Sequence, residues 1–487
     1  MKKTVLGFAT LLTVVALAAC GSGGSTDSSG SNSADKGDSK KELTFPLATK
    51  NDKDSVKDGE LEAAVATDSQ FKGLFQWEFY QDAYDAAFMA PSHEALFAND
   101  ASFKINDKGA ATLDLDQDAK KATIKIKDNV KWSDGKAVTA DDVIFPYEII
   151  GNKDYTGIRY DDTFQNIVGM EEYHDGKSDT ISGIKKVDDS TVEIQYKKVE
   201  PSMLQAGGGV WSYAAPKHTL EGVAIKDMES SDQVRKHPVT FGPYYMSNIV
   251  SGESVEYLPN EYYWGGKPKL KKITMKSVPI ASATEAVNSK LYDMVFQMPT
   301  DTYDTYKDVK GYTNLGRQQT SYTYLGFKLG TWDAAKNTVN YDKNSKMADK
   351  SLRQAMGYAL DNNAVGERFY AGLRSNATSL IPPVFEGYHD KKLKGYTQDM
   401  DKAKKLLDDA GYKDVDDDGL REDKDGKKLT INFASMAGGE TAQPLADYYV
   451  QQWKKIGLNV KYTTGRLIEF NSFYDLSLIH ISEPTRH

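Results

Sequence analysis

Residues 131–148 read KWSDGKAVTADDVIFPYE, and the fold follows from how this run is parsed. Just before it, Ile124, Ile126 and Val130 fall at even spacing among charged neighbours, the period of a half-buried strand. Asp134-Gly135 supplies a turn. Thr139, with Asp142 three residues on, has the spacing of a capping box at the start of a helix. Pro146 lies inside that helix and removes a hydrogen bond to the preceding turn, so a kink or an early stop is expected. Strand, turn and capped helix in one short run are common in α/β proteins.

The particular residues narrow this further. Trp132-Ser133-Asp134-Gly135-Lys136 followed by Val138-Thr139-Ala140-Asp141-Asp142-Val143 closely resembles the signature of the oligopeptide-binding family, the family 5 extracellular solute-binding proteins that feed ABC peptide importers. Pro216-Lys217-His218, Thr240-Phe241-Gly242-Pro243-Tyr244 and Asn260, Tyr263-Trp264, Gly266, Pro268 resemble the same family, although Gly-Thr is usual where Thr240-Phe241 stand. The resemblance covers roughly Ala122 to Asp475. It implies an α/β, periplasmic-binding-protein-like fold (type II, cluster C) of three domains with a hinged ligand cleft, incomplete at the C-terminus. It further implies capture of an oligopeptide by lobe closure and delivery to ABC permease subunits. The alternatives are a surface lipoprotein of the same fold that senses peptide signals or binds another solute, or a hydrolase or adhesin.

Length and composition agree with a large receptor. A chain of 487 residues exceeds one core and suggests two or three domains. The net charge of −9 argues against nucleic acid as a partner, and loss of Lys2 and Lys3 on processing makes the chain more acidic still. Lys2-Lys3 precede the apolar run Val5 to Ala19, too short for a membrane span, which reads as a secretory signal. It ends in Leu17-Ala18-Ala19-Cys20, which matches the bacterial lipobox; the resemblance implies a diacylglyceryl thioether on Cys20 and a place on the outer face of the cell membrane. Cys20 is the only cysteine, so no internal disulfide is expected. Residues 20–42 are expected to be the lipidated linker, since Gly21 to Lys41 have almost nothing to bury.

The expected division is 43–97 and 196–280 for domain I, 98–195 for domain II and 281–475 for domain III. Domain III carries the helical face Leu352, Ala355, Met356, Ala359, Leu360, then Ala403, Leu406, Leu407, Ala410 closed by Gly411. A strand from Leu429 to Phe433, a helix from Pro444 to Ile456 and a strand from Leu458 to Tyr462 predict a parallel pair with a right-handed crossover. A monomer is expected.

Aromatic residues crowd Phe71 to Met89. Such a stripe is more often core than contact, but the resemblance brings this segment to the ligand cleft. Phe71, Phe75, Trp77, Tyr80, Trp211, Tyr213, Phe241 and Tyr244 are therefore candidate peptide contacts. Gly207-Gly208-Gly209 reads equally as a close backbone approach to a ligand or as a flexible loop. Asp414, Asp416, Asp418, Leu420, Glu422 and Asp425 follow the oxygen-ligand spacing of a calcium loop, with Asp rather than Glu at the twelfth position; the bland reading is an acidic surface loop. No cofactor is otherwise required. No catalytic residue is assigned: there is no Gly-x-Ser-x-Gly, no His-Glu-x-x-His, and the seven histidines lack zinc spacing.

Leu476 to Arg486, LSLIHISEPTR, is what the transposon end and adapter of sequencing libraries encode. The expectation is that residues 476–487 are not native. The family's ammonium-binding aspartate is then expected beyond Asp475.

Overall fold

The computed structural model describes residues 43–473, apart from 51, 55, 334–337, 470 and 471. The signal segment, Cys20, the linker and the tail from 476 lie outside the described residues.

Strand β1 (Glu60–Thr67) opens the first lobe, and helix α1 (Ala83–Met89) follows the aromatic segment. The chain then builds a second lobe from β2 (Ala111–Asp116), β3 (Lys121–Ile126), helix α2 (Ala140–Gly151), β4 (Ile184–Asp188) and β5 (Thr191–Gln195). These strands form an antiparallel sheet in the order β2-β3-β5-β4. The even spacing read from Ile124 and Ile126 is that of β3, whose Ala122, Ile124 and Ile126 are buried against Val192 and Ile194 of β5. The chain returns through β6 (Tyr244–Val250), β7 (Ser254–Pro259), β8 (Lys272–Pro279) and β9 (Met294–Phe296), which complete the first sheet in the order β9-β1-β8-β7-β6. β1 runs parallel to both its neighbours, and its Ala63, Ala64, Val65 and Ala66 are buried. Ala63 and Val65 join one core while Ala64 joins another, so a run of small residues serves two faces at once.

The lobe boundaries differ from those expected. β9 carries the first sheet beyond residue 280. Tyr196, Met203, Val210, Ala214 and Phe241 pack into the second-lobe core rather than the first. Their neighbours in sequence leave one sheet before reaching the other, and apolar side chains settle in the nearer core.

Of the two outcomes expected at Pro146, the early stop does not occur: helix α2 runs through the proline to Gly151. The carbonyl freed by the missing proline N–H, that of Asp142, accepts the Ala215 N–H at 3.0 Å. A defect within the helix thereby becomes a tie between segments.

The third lobe contains α3 (Lys350–Tyr358), α4 (Asn362–Tyr370), α5 (Met400–Ala410), β10 (Ile431–Phe433), α6 (Ala442–Lys455) and β11 (Val460–Tyr462). Leu352, Ala355, Met356, Ala359 and Leu360 are all buried in its core, with Trp453 of α6 donating its indole N–H to the Met356 carbonyl at 3.1 Å. Gly411 closes α5 at φ +90°, a left-handed conformation that glycine adopts without strain. β10 and β11 pair in parallel across α6, as the strand-helix-strand pattern predicts.

Candidate functional site

The signature residues themselves do not form a binding surface. They form a staple. Asp142, 4% exposed, accepts the Trp132 indole N–H (3.2 Å), the Thr139 N–H (2.8 Å) and the Thr139 hydroxyl (3.0 Å) through Oδ2, and the Lys217 N–H (3.0 Å) through Oδ1. The capping box is present, and its carboxylate also reaches the core tryptophan and the Pro216-Lys217-His218 segment. His218 Nε2 meets Asp134 Oδ2 at 2.8 Å, Ser133 N–H donates to the Thr240 carbonyl at 2.7 Å, and the buried Asn260 amide donates to the Gly242 carbonyl at 2.9 Å. Gly135 turns at φ +88° with the Tyr262 ring 3.0 Å from where a Cβ would stand.

The candidate contacts separate into two groups. Phe71, Phe75 and Tyr244 are buried in the first-lobe core and Phe241 in the second-lobe core, so their rings are committed to packing and offer no surface to a guest. Trp77, Tyr80, Trp211 and Tyr213 are half-buried and gather into one wall. Trp77 stacks on Tyr213 with ring centres 4.0 Å apart and planes 18° from parallel; Tyr80 meets Trp77 edge-on at 5.3 Å, and Trp211 meets Tyr213 edge-on at 5.4 Å. Among the described residues the Trp77 indole N–H is buried without a hydrogen-bond partner, while the buried Trp211 indole N–H faces the Glu78 carboxylate outside good hydrogen-bond geometry. Buried donors of this kind cost free energy until an acceptor arrives.

Two residues the sequence did not single out complete the wall. The Arg159 guanidinium lies 4.3 Å from the Tyr80 ring centre and donates to the Tyr80 carbonyl at 2.9 Å. Glu78 is fully buried, and among the described residues no donor reaches either carboxylate oxygen in good hydrogen-bond geometry. Burial pushes its pKa up to about 7; its own backbone N–H, Gln76, Trp211 and the Arg159 charge favour the ionised form but do not offset the loss of water. The Tyr155 hydroxyl donates to the Glu78 carbonyl, tying the wall to the second lobe. Neither Glu78 nor Arg159 carried a sequence signal, because Glu78 stands inside an aromatic run and Arg159 in a loop without motif. His93 beside the wall bonds to Ser92 and to the Phe75 carbonyl, and burial lowers its pKa to about 4, so it is a neutral structural residue.

The glycine loop is packed at Gly208, where a Cβ would fall 1.8 Å from the Ser202 carbonyl oxygen, and open at Gly207, where a Cβ would meet nothing within 4 Å. In the acidic loop, carboxylate oxygens of Asp414, Asp416 and Glu422 lie within 4.8 Å of one another. Asp418 and Asp425 are outside that group. Asp418 Oδ1 accepts the Leu420 N–H at 2.8 Å, and Asp425 sits in a separate turn in which Asp423 Oδ1 accepts the Asp425 and Lys427 N–H groups, each at 2.9 Å. The twelfth position of the expected pattern is displaced by this tight turn.

Residues 105–479 match the family model of bacterial extracellular solute-binding proteins, family 5, middle region. The chain belongs to this family. Its members are extracellular or periplasmic substrate-binding proteins of ABC importers rather than enzymes, which sets aside the hydrolase alternative. The oligopeptide-binding protein OppA of Lactococcus lactis subsp. cremoris (strain SK11) is 39% identical over 99% of this chain and 80% of its own length. The oligopeptide-binding protein AppA of Bacillus subtilis (strain 168) is 30% identical over 69% of this chain and 57% of its own. Lactococcal OppA complexed with an endogenous peptide in the closed conformation superposes with a TM-score of 0.78 over 88% of this chain and 80% of that one, at 39% identity. The α/β binding-protein fold read from the signature is thereby shown.

Proposed function

We propose that this family 5 protein is a lipid-anchored receptor that captures oligopeptides by lobe closure and delivers them to ABC permease subunits. The observation that carries the reading is the 39% identity, over almost the whole chain, to a protein named for oligopeptide binding. The aromatic wall supports it, since Trp77, Tyr80, Trp211 and Tyr213 are half-buried and leave apolar ring surface that can receive a guest whatever its sequence. The lipobox around Cys20 supports anchoring by two acyl chains.

Six tryptophans make intrinsic fluorescence a direct test. A mixed peptide pool is expected to quench emission without being cleaved, and W77F and W211F together to remove most of the change. Fluorescence and calorimetry both silent to the pool, or cleaved peptides by mass spectrometry, would refute the receptor.

For the acidic loop we infer a structural calcium ion held by Asp414, Asp416 and Glu422, whose carboxylate oxygens lie within 4.8 Å of one another. Titrating chelator-treated protein with calcium is expected to release heat that D414N/D416N abolishes. A flat titration of the unmodified protein defeats the idea.

A further inference from the structure

Phe103 stands at φ +63°, a left-handed conformation that a bulky side chain adopts only under strain. Its turn is pinned on both sides. Phe103 donates its N–H to the Asp100 carbonyl at 3.0 Å, Asp100 Oδ1 accepts the Ser102 and Lys104 N–H groups at 2.9 and 3.0 Å, and the Phe103 carbonyl accepts the Ala206 N–H at 2.8 Å. A glycine would satisfy this backbone without penalty, so the phenyl ring needs another reason to be there.

The ring is half-buried and is not part of the second-lobe core. Its centre lies 5.5 Å from that of Phe385, with planes 42° apart, and the Arg317 guanidinium is 5.8 Å away. Phe385 belongs to a turn after α4 in the third lobe, where its carbonyl accepts the Tyr388 and His389 N–H groups at 2.9 Å. Arg317 lies on the connection between the first and third lobes. One residue on a strained backbone therefore joins three parts of the molecule.

We propose that Phe103 is a clasp between the second and third lobes that holds the closed state and so sets how long a guest stays. This rests on the receptor reading above. A contact made only in the closed state favours that state by its own free energy, and its loss is felt in release rather than capture. An aromatic pair with a cation on its face corresponds to about a tenfold change in rate.

The test uses the full chain, a fluorescently labelled nonapeptide pool and stopped-flow competition. F103G and F385A are each expected to speed dissociation about tenfold with association unchanged, the double variant being no faster than either. F103G is also expected to keep or raise the thermal midpoint, because it relieves the left-handed strain. Dissociation that is unchanged in F103G and F385A overturns the clasp, as does a rise in dissociation that always accompanies a fall in thermal midpoint. If the unmodified chain binds no peptide, the receptor reading fails instead.

Discussion

Replacing Asp142 by alanine is expected to destabilise the protein by about 3–5 kcal/mol, the range for removing one partner of a buried hydrogen-bonded network. Asp142 is 4% exposed and its two oxygens serve four donors, of which the Trp132 indole is itself 1% exposed. Alanine leaves the buried Trp132 indole unpaired and strips the half-buried Thr139 and Lys217 donors of their acceptor. The Lys217 N–H tie is lost as well, so the segment that caps the Asp142 carbonyl through Ala215 is loosened. D142N keeps one acceptor oxygen and is expected to lose roughly half as much. The measurement is the urea midpoint of the fluorescence transition. A loss below about 1 kcal/mol for D142A would show that the signature carboxylate does not hold the lobe together.

The second large effect concerns pH. The Glu78 pKa is about 7 in the folded protein against an ordinary 4.5. Between those values the folded chain holds a proton that the unfolded chain has released, so raising the pH favours unfolding. The contribution is fully present below about 4.5 and is lost as the pH rises through about 7. Its size is about 3 kcal/mol, from the energy equivalent of a pKa unit, and solvent screens little of it because the side chain is fully buried. E78Q keeps a neutral group of the same shape. It is expected to match the unmodified protein near pH 4.5, to be more stable by about 3 kcal/mol at pH 8, and to flatten the profile between. Parallel profiles for the two proteins would show that Glu78 does not titrate in this range.

Both predictions sit on the wall and the staple, and the two were unequally legible. The staple could be read because its residues are close in sequence and each has a local role: Gly135 must turn, Thr139 must cap, and Asp142 must lie three residues on. The wall could be read only in part. Phe71, Phe75, Phe241 and Tyr244 are aromatic for the sake of their cores, while Trp77, Tyr80, Trp211 and Tyr213 are aromatic at the wall, and nothing in residue type separates the groups. Strand β1 was silent because a strand buried on both faces shows no alternation.

By itself the sequence determined the family, the period of β3, the capped helix α2, and the third-lobe unit of two parallel strands across α6, because these depend on spacing within one stretch of chain. The tertiary structure alone decided that Pro146 is tolerated, since the compensating donor is Ala215, and that Glu78 is buried beside Arg159. It alone brought Phe103 against Phe385. These depend on which distant segments exclude water from one another, and burial is a property of the folded neighbours rather than of the residue.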